Sequence, residues 1–161
     1  MTQTPHAPQD PAALRVRDAT ADDVAPMAQW AVAMAQESEG KALDPDTVTR
    51  GIALGVADPA RSRYYIAEID GVAAGTLMVT GEWSDWRCGW WWWIQSVYVR
   101  PESRRRGVYR ALYAHVLALA RAEAGVCGIR LYVERENTGA ITTYETLGMT
   151  DSGYRLLETE L

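Results

Sequence analysis

Phenylalanine is absent from this 161-residue chain, and cysteine and histidine occur twice each. Cys88 and Cys127 lie far apart, with no C-x-x-C pair, so neither a disulfide framework nor a cysteine metal site has support. No metal is expected, and the scarcity of cysteine suits a reducing, cytoplasmic compartment. Positive charge is in the minority: sixteen Lys and Arg face twenty-one Asp and Glu, a formal net charge of -5. That balance excludes a general nucleic-acid binder held by whole-molecule attraction, and any anion site must be local. Apolar runs fall well short of the roughly 20 residues that span a bilayer. The opening MTQTPHAPQDPAAL lacks a basic stretch followed by an apolar one, so no membrane association and no signal peptide are expected. There is no internal repeat, no Walker A loop and no three-glycine dinucleotide fingerprint, which disfavours nucleotide hydrolysis.

What is present is ordinary globular material, 48% hydrophobic and 23% charged, enough for one domain with a real core. Residues 1–13, with Pro5, Pro8 and Pro11, read as an arm, and the domain as 14–161. L-R-V-R from Leu14 alternates as a short strand. Thr20 with Asp23 resembles a capping box opening a helix whose apolar positions recur until Glu37-Ser38-Glu39-Gly40. Asp44-Pro45 opens a second helix to about Ala57. Tyr64–Ile69, the Asp70-Gly71 turn and Val72–Thr80 form the clearest hairpin. A polar and aromatic segment, Gly81–Gly89, leads into Trp90–Val99, a strand with no polar face that should lie centrally. An amphipathic helix from Val108 to about Ala124 follows, then a strand over Ile129–Val133. A short helix carrying Ala140, Ile141, Tyr144 and Leu147 on one face comes next, and a last strand over Gly153–Glu160. The order β-α-α-β-β-β-α-β-α-β predicts an α/β fold, a mixed central sheet flanked by helices.

Between Arg100 and Arg110, five arginines face one acid, Glu102, in a chain that is acidic as a whole. The stretch R-P-E-S-R-R-R-G-V-Y-R joins a buried strand to a helix start, where unpaired backbone N–H groups and the helix dipole favour phosphate. Arginine adds bidentate contacts, and Gly107 allows close backbone approach. A merely solvated charge run is the competing reading.

This block, V97-Y-V-R-P-E-S-R-R-R-G-V-Y-R-A-L112, resembles the coenzyme signature of the GNAT N-acetyltransferase superfamily, an Arg or Gln followed by x-x-Gly-x-Gly/Ala. Arg104 and Gly107 fill the pattern, while Tyr109 replaces its final small residue. The resemblance implies a fold of the GNAT type and an acetyl-coenzyme A dependent transfer to an amine. It implies that Val97, Tyr98 and Val99 pair through their backbone with the pantetheine arm, and that amides of Arg105, Arg106, Gly107, Val108, Tyr109 and Arg110 cradle the pyrophosphate. A second block, N137-T-G-A-I-T-T-Y-E-T-L-G-M149, resembles the family's later Asn/Tyr motif. By that likeness Asn137 binds near the pantetheine and Tyr144 protonates the departing thiolate. A phenol of ordinary pKa near 10 is protonated at neutral pH and can act as a general acid. Plain core packing is the alternative for Tyr144.

Amine attack requires removal of a proton, yet where many relatives place Glu or His on the central strand this chain has Trp93. His6 falls in the arm and His115 on the inward stripe of the coenzyme helix. Glu82 is therefore the candidate base, acting through water, with Asp85 nearby; Glu37 and Glu39 could attract a cationic acceptor. Six of the seven tryptophans crowd into residues 83–93. Strand alternation puts Trp91, Trp93 and Gln95 on one side, where they are candidates for the acceptor site. The expectation is an N-acetyltransferase using acetyl-CoA and a small-molecule or peptide amine, with no nucleic-acid or membrane partner; a homodimer is left open. A non-catalytic acyl-CoA-binding or regulatory module is the alternative. A ping-pong route through either cysteine lacks an activating histidine in sequence.

Overall fold

The computed structural model describes residues 13–159 and divides the chain into two compact units, one ending at Leu131 and one beginning at Tyr132. The first holds β1 (Leu14–Asp18), α1 (Val24–Glu39), α2 (Pro45–Ala57), β2 (Arg63–Ile69), β3 (Val72–Ser84), β4 (Gly89–Val99), α3 (Val108–Ala122) and β5 (Val126–Arg130). The second holds α4 (Thr138–Thr146). No helix among the described residues is long and apolar enough to cross a membrane.

Local chemistry explains most of these boundaries. Before α1, the Asp23 carboxylate accepts from the Thr20 backbone N–H at 2.7 Å, the carboxylate half of a capping box. Gly40, at φ 64, closes α1 in the left-handed conformation. Asp44 caps α2 by accepting from Thr47 N–H at 3.0 Å. Asp70 and Gly71, at φ 53 and 79, make the two-residue turn joining β2 to β3.

The sheet runs β1-β2-β3-β4-β5. Its first three pairings are antiparallel and β4–β5 is parallel, the crossover being made by α3. The predicted mixed sheet with flanking helices is thus the observed architecture. On one face Met27 and Ala28 of α1 and Ile52 of α2 pack on Ile66. On the other, α3 buries Val108, Leu112 and Val116, and His115 meets the Tyr65 ring edge-on at 5.1 Å. His115 is a packed histidine, as its place on the helical stripe implies.

Several boundaries differ from expectation. Of the arm expected over residues 1–13, all but Ala13 lies outside the described residues; Ala13 donates to the Asp70 carboxylate at 2.9 Å. Gly81–Gly89 is mostly strand. β3 continues to Ser84 and pairs with β4 from Gly89 onward, because Trp83 and Trp90 form a cross-strand aromatic pair with centroids 5.2 Å apart. The strand expected over Ile129–Val133 is β5, Val126–Arg130, placed by its parallel pairing with Trp90–Trp93. The last strand expected over Gly153–Glu160 is absent from residues 153–159, and Glu160 lies outside the described residues. Alternation supplies a face, but a strand also needs a partner for its N–H and C=O groups, and residues 153–159 enter no pairing of the sheet.

Candidate functional site

β4 is the strand around which the candidate residues gather. Its pairing with β5 runs from Trp90 opposite Val126 to Trp93 opposite Arg130 and ends there, so from Ile94 onward no strand lies along that side of β4 among the described residues. On its other side β4 pairs with β3 and carries an extra residue. Gln95 stands opposite Met78 and Tyr98 opposite Thr76, leaving Ser96 and Val97 against a single β3 position, with Ser96 at φ 49. A bulge of this kind re-aims side chains, and bulges are over-represented beside active sites.

The face can be read from β3 partners. Trp93 donates its indole N–H to Glu82, and Gln95 Nε2 donates to Thr80 Oγ1 at 2.6 Å. Thr76 on the same β3 face donates its hydroxyl toward Met27 Sδ at 3.4 Å, so this is the face that α1 covers. Trp91, Trp93 and Gln95 therefore do share one side, as alternation predicts. Arginines cover the tryptophans: the Arg130 guanidinium lies 4.0 Å and that of Arg87 5.0 Å from the Trp91 ring centroid, and Arg130 is 5.9 Å from Trp93. Glu82 sits near the end of β3, ahead of β4 in the chain. One carboxylate oxygen takes the Trp93 N–H and the other pairs with Arg130 at 3.0 Å.

At the bulge, α1, α2, β2 and β4 line a half-open cavity of about 290 Å³. Met34, Gly51, Ile52, Tyr64, Ser96 and Tyr98 are among its lining residues, none of them charged at neutral pH. Sequence reasoning missed this feature, since its walls are mostly ordinary apolar positions on four separate elements and a connecting loop.

The arginine turn follows directly after β4. Two of its five cations are committed elsewhere. Arg100 pairs with Glu102 and donates to the Ala73 carbonyl at 3.1 Å, while Arg104 donates to Glu37 at 2.7 Å and to the Val99 carbonyl at 3.1 Å. Glu37 in turn accepts from the Tyr98 hydroxyl at 3.3 Å. The Arg104 hydrogen bond holds the Glu37 carboxyl below its ordinary value and raises the guanidinium's own pKa. Burial, then the neighbouring Glu37 charge, pushes the Tyr98 phenol up. The motif arginine thus ties α1 to the end of β4. Arg105, Arg106 and Arg110 are exposed and enter none of the ion pairs among the described residues.

Backbone geometry complements those three charges. Arg105 and Gly107 adopt left-handed φ values of 62 and 80. Hydrogen bonding of α3 begins with Ala111 N–H to Gly107 O at 3.0 Å, so the preceding N–H groups have no acceptor within the helix. Val108 is buried while Tyr109 is half buried, its ring 6.2 Å from that of Tyr113.

In the second unit, Ala140, Ile141, Tyr144 and Leu147 are half buried and the rest of α4 is exposed, which matches the expected stripe. Burial raises the Tyr144 phenol above its ordinary value. Asn137 is the N-cap of α4, its side-chain oxygen accepting from Ala140 N–H at 3.1 Å.

The model of the Acetyltransferase (GNAT) family matches residues 25–149. A possible acetyltransferase from Clostridium difficile 630 is similar at 37% identity over 92% of this chain and 97% of its own, with a TM-score of 0.85. AAC(6')-Iy in complex with the bisubstrate analog CoA-S-monomethyl-acetylneamine shares the fold at 18% identity, over 93% of this chain and 99% of its own, TM-score 0.74. A predicted acetyltransferase with acetyl-CoA from Clostridium acetobutylicum does so at 17% identity, over 91% and 96%, TM-score 0.72. No curated protein sequence matches the chain. With a family match across most of its length and a closely superposable relative, the chain belongs to the GNAT acetyltransferase family.

Proposed function

We propose that this protein transfers the acetyl group of acetyl-CoA to a primary amine by direct attack, in a cytoplasmic setting. The turn from 104 to 110 carries the reading. Three guanidiniums outside every ion pair among the described residues, two left-handed backbone positions and the opening of α3 form a donor set that suits a diphosphate. The solved relatives with acetyl-CoA and with a CoA bisubstrate analog favour the same donor.

When bound, the coenzyme supplies an acetyl thioester whose carbonyl carbon gains a bond to the amine nitrogen as its C–S bond breaks. Amides from Arg105 to Arg110 would hold the diphosphate, with the side chains of Arg105, Arg106 and Arg110 as counter-charges. Backbone groups of Val97–Val99, on the side of β4 that β5 leaves uncovered, would orient the pantetheine arm. By its likeness to the family's Asn/Tyr motif, Asn137, whose side-chain oxygen caps α4, would serve pantetheine binding. The amine gives up one proton, and Tyr144, kept protonated by burial, would return one to the leaving sulfur. Arg104 would act through its clamp on Glu37 and the Val99 carbonyl, fixing the end of β4.

Glu82 has two readings. Its pairing with Arg130 and Trp93 favours a positioning role that holds the tryptophan face, whereas base catalysis through water would require it to give up part of that pairing. Glu82→Gln separates them: a base predicts loss of the acidic limb of the kcat/KM profile, a positioning group an unchanged profile with altered acceptor KM. Calorimetric titration with acetyl-CoA, followed by thioester consumption with an amine panel, tests the whole proposal. Binding without turnover on any amine would instead favour an acyl-CoA-binding module, a reading motivated by Trp93 in place of a base and Tyr109 in place of a small residue.

A further inference from the structure

We infer that the cavity between α1, α2 and β4 is the acceptor pocket and that it selects a small apolar amine, an aryl-alkyl or short alkyl primary amine, over polycationic ones. This deepens the acetyl-transfer reading and rests on it for the chemistry, though not for binding.

Its walls are Met27, Ala31 and Met34 of α1, with Leu43, Val48 and Ile52 from the connecting loop and α2. Among the described residues, its side-chain oxygens come from Ser96, Tyr64 and Tyr98, and no lining residue bears a charge at neutral pH. Glu37, the carboxylate that meets the Tyr98 hydroxyl, is already committed to Arg104. A polycation placed here would leave its charges unpaired, at a desolvation cost that an apolar amine avoids. Desolvation also disfavours the ammonium form of any bound amine, which promotes the neutral nucleophile without a dedicated base. Size agrees: a cavity of about 150 Å³ admits benzene, and the cavity here, at about 290 Å³, has room for a ring and a short chain.

Gly51 provides an independent observation. It lies in the interior of α2, where glycine costs about 1 kcal/mol relative to alanine. Four residues on, Gly55 has a packing reason, since a Cβ there would stand 2.4 Å from Ser62 Oγ and 2.9 Å from Tyr64 Cε2. A Cβ on Gly51 would meet nothing within 4 Å. Gly51 is exposed and lines the cavity, so a side chain there would occupy open space beside it and displace no neighbour. Ser96, turned by the bulge, lines the same cavity one residue before Val97, the start of the proposed pantetheine track.

The test pairs wild type with Gly51→Leu and Gly51→Ala. Each is titrated with 2-phenylethylamine, spermidine and neamine, and assayed for thioester consumption where turnover exists. Wild type should bind and turn over 2-phenylethylamine at least tenfold better than either polyamine. Gly51→Leu should raise the 2-phenylethylamine KM and Kd by roughly tenfold or more, the scale of one excluded apolar group. Gly51→Ala should have a smaller effect, and for both variants acetyl-CoA affinity should stay within about twofold and Tm should not fall. Equal or better use of spermidine or neamine overturns the inference, as does 2-phenylethylamine binding indifferent to Gly51→Leu, or no binding at all. Binding that depends on residue 51, without any acetyl transfer, would uphold the pocket assignment and refute the transferase reading separately.

Discussion

Replacing Asp23 by Asn should weaken the joint that ties α1 to the sheet. Asp23 is only 6% exposed, and its carboxylate accepts from Arg17 at 2.7 and 2.9 Å and from the Thr20 backbone at 2.7 Å. Asn keeps the shape but loses the charge and one acceptor oxygen. Charge-assisted bonds contribute about 1.5–3 kcal/mol each, and Arg17, with a side chain 39% exposed, keeps its second partner Glu68 at 2.7 Å. Screening at that exposed end brings the expected loss to about 2–3 kcal/mol. For a chain of this length that lowers Tm by about 5–10 °C.

The sign of the pH dependence follows from the Arg17 hydrogen bonds, which outweigh burial and hold the Asp23 carboxyl below its ordinary value. A depressed folded pKa gives stability that is present above the unfolded value of about 3.9 and is lost as pH falls through the folded one. The Tm gap between wild type and Asp23→Asn should therefore be full at pH 7 and shrink steadily below pH 4. Thermal unfolding followed by circular dichroism at pH 7, 5, 4 and 3 measures it. A gap under about 2 °C at pH 7, or one of constant size down to pH 3, would refute the reasoning.

Other outcomes follow from the same geometry. Replacing Arg105, Arg106 and Arg110 together by Ser should weaken acetyl-CoA binding by roughly tenfold or more and flatten its dependence on salt, since backbone donors remain but counter-charge is lost; calorimetry at two ionic strengths checks this. Tyr144→Phe should lower kcat by about 10²-fold at nearly constant acetyl-CoA KM. Because burial raises the phenol, any alkaline limb due to Tyr144 should lie above its ordinary value, the activity being present below that pKa and lost above it. Gly75→Ala should destabilise by about 1–3 kcal/mol in chemical denaturation, because its Cβ would stand 2.7 Å from the Tyr98 carbonyl oxygen and 3.0 Å from Val108 Cγ1.

Features written in local chemistry were legible from residue order. The Thr20/Asp23 pair, Asp44-Pro45 and Asp70-Gly71 announced their turns and helix starts because each acts within a few residues. The arginine turn was legible for the same reason, as charge, glycine and helix start coincide between 100 and 110. Side-chain commitments made across the chain were not. That Arg104 spends its guanidinium on Glu37, 67 residues away, depends on α1 packing beside the end of β4. The Trp91/Arg130/Glu82 cluster likewise requires β5 to lie parallel to β4. A final strand was read from alternation alone, which says nothing about whether another strand is there to pair with it. The cavity left one trace, a glycine inside an otherwise regular helix, which composition cannot distinguish from the packing glycine a turn later.

The extra residue near Ser96 makes β4 sensitive to length in a way that its other positions are not. Odd-numbered side chains up to Gln95 and the even-numbered Tyr98 share one face only because the count slips between them. Deleting a single residue there would remove the bulge and leave Tyr98 opposite Thr76 on the face that α1 covers, whereas regular pleating with every residue kept would swing Tyr98 to the α3 side, away from Glu37. The slip, and not strict alternation, thus decides which side chains face inward along the rest of the strand, so a related chain one residue shorter here can present the same face, and chains should be aligned on either side of the slip separately.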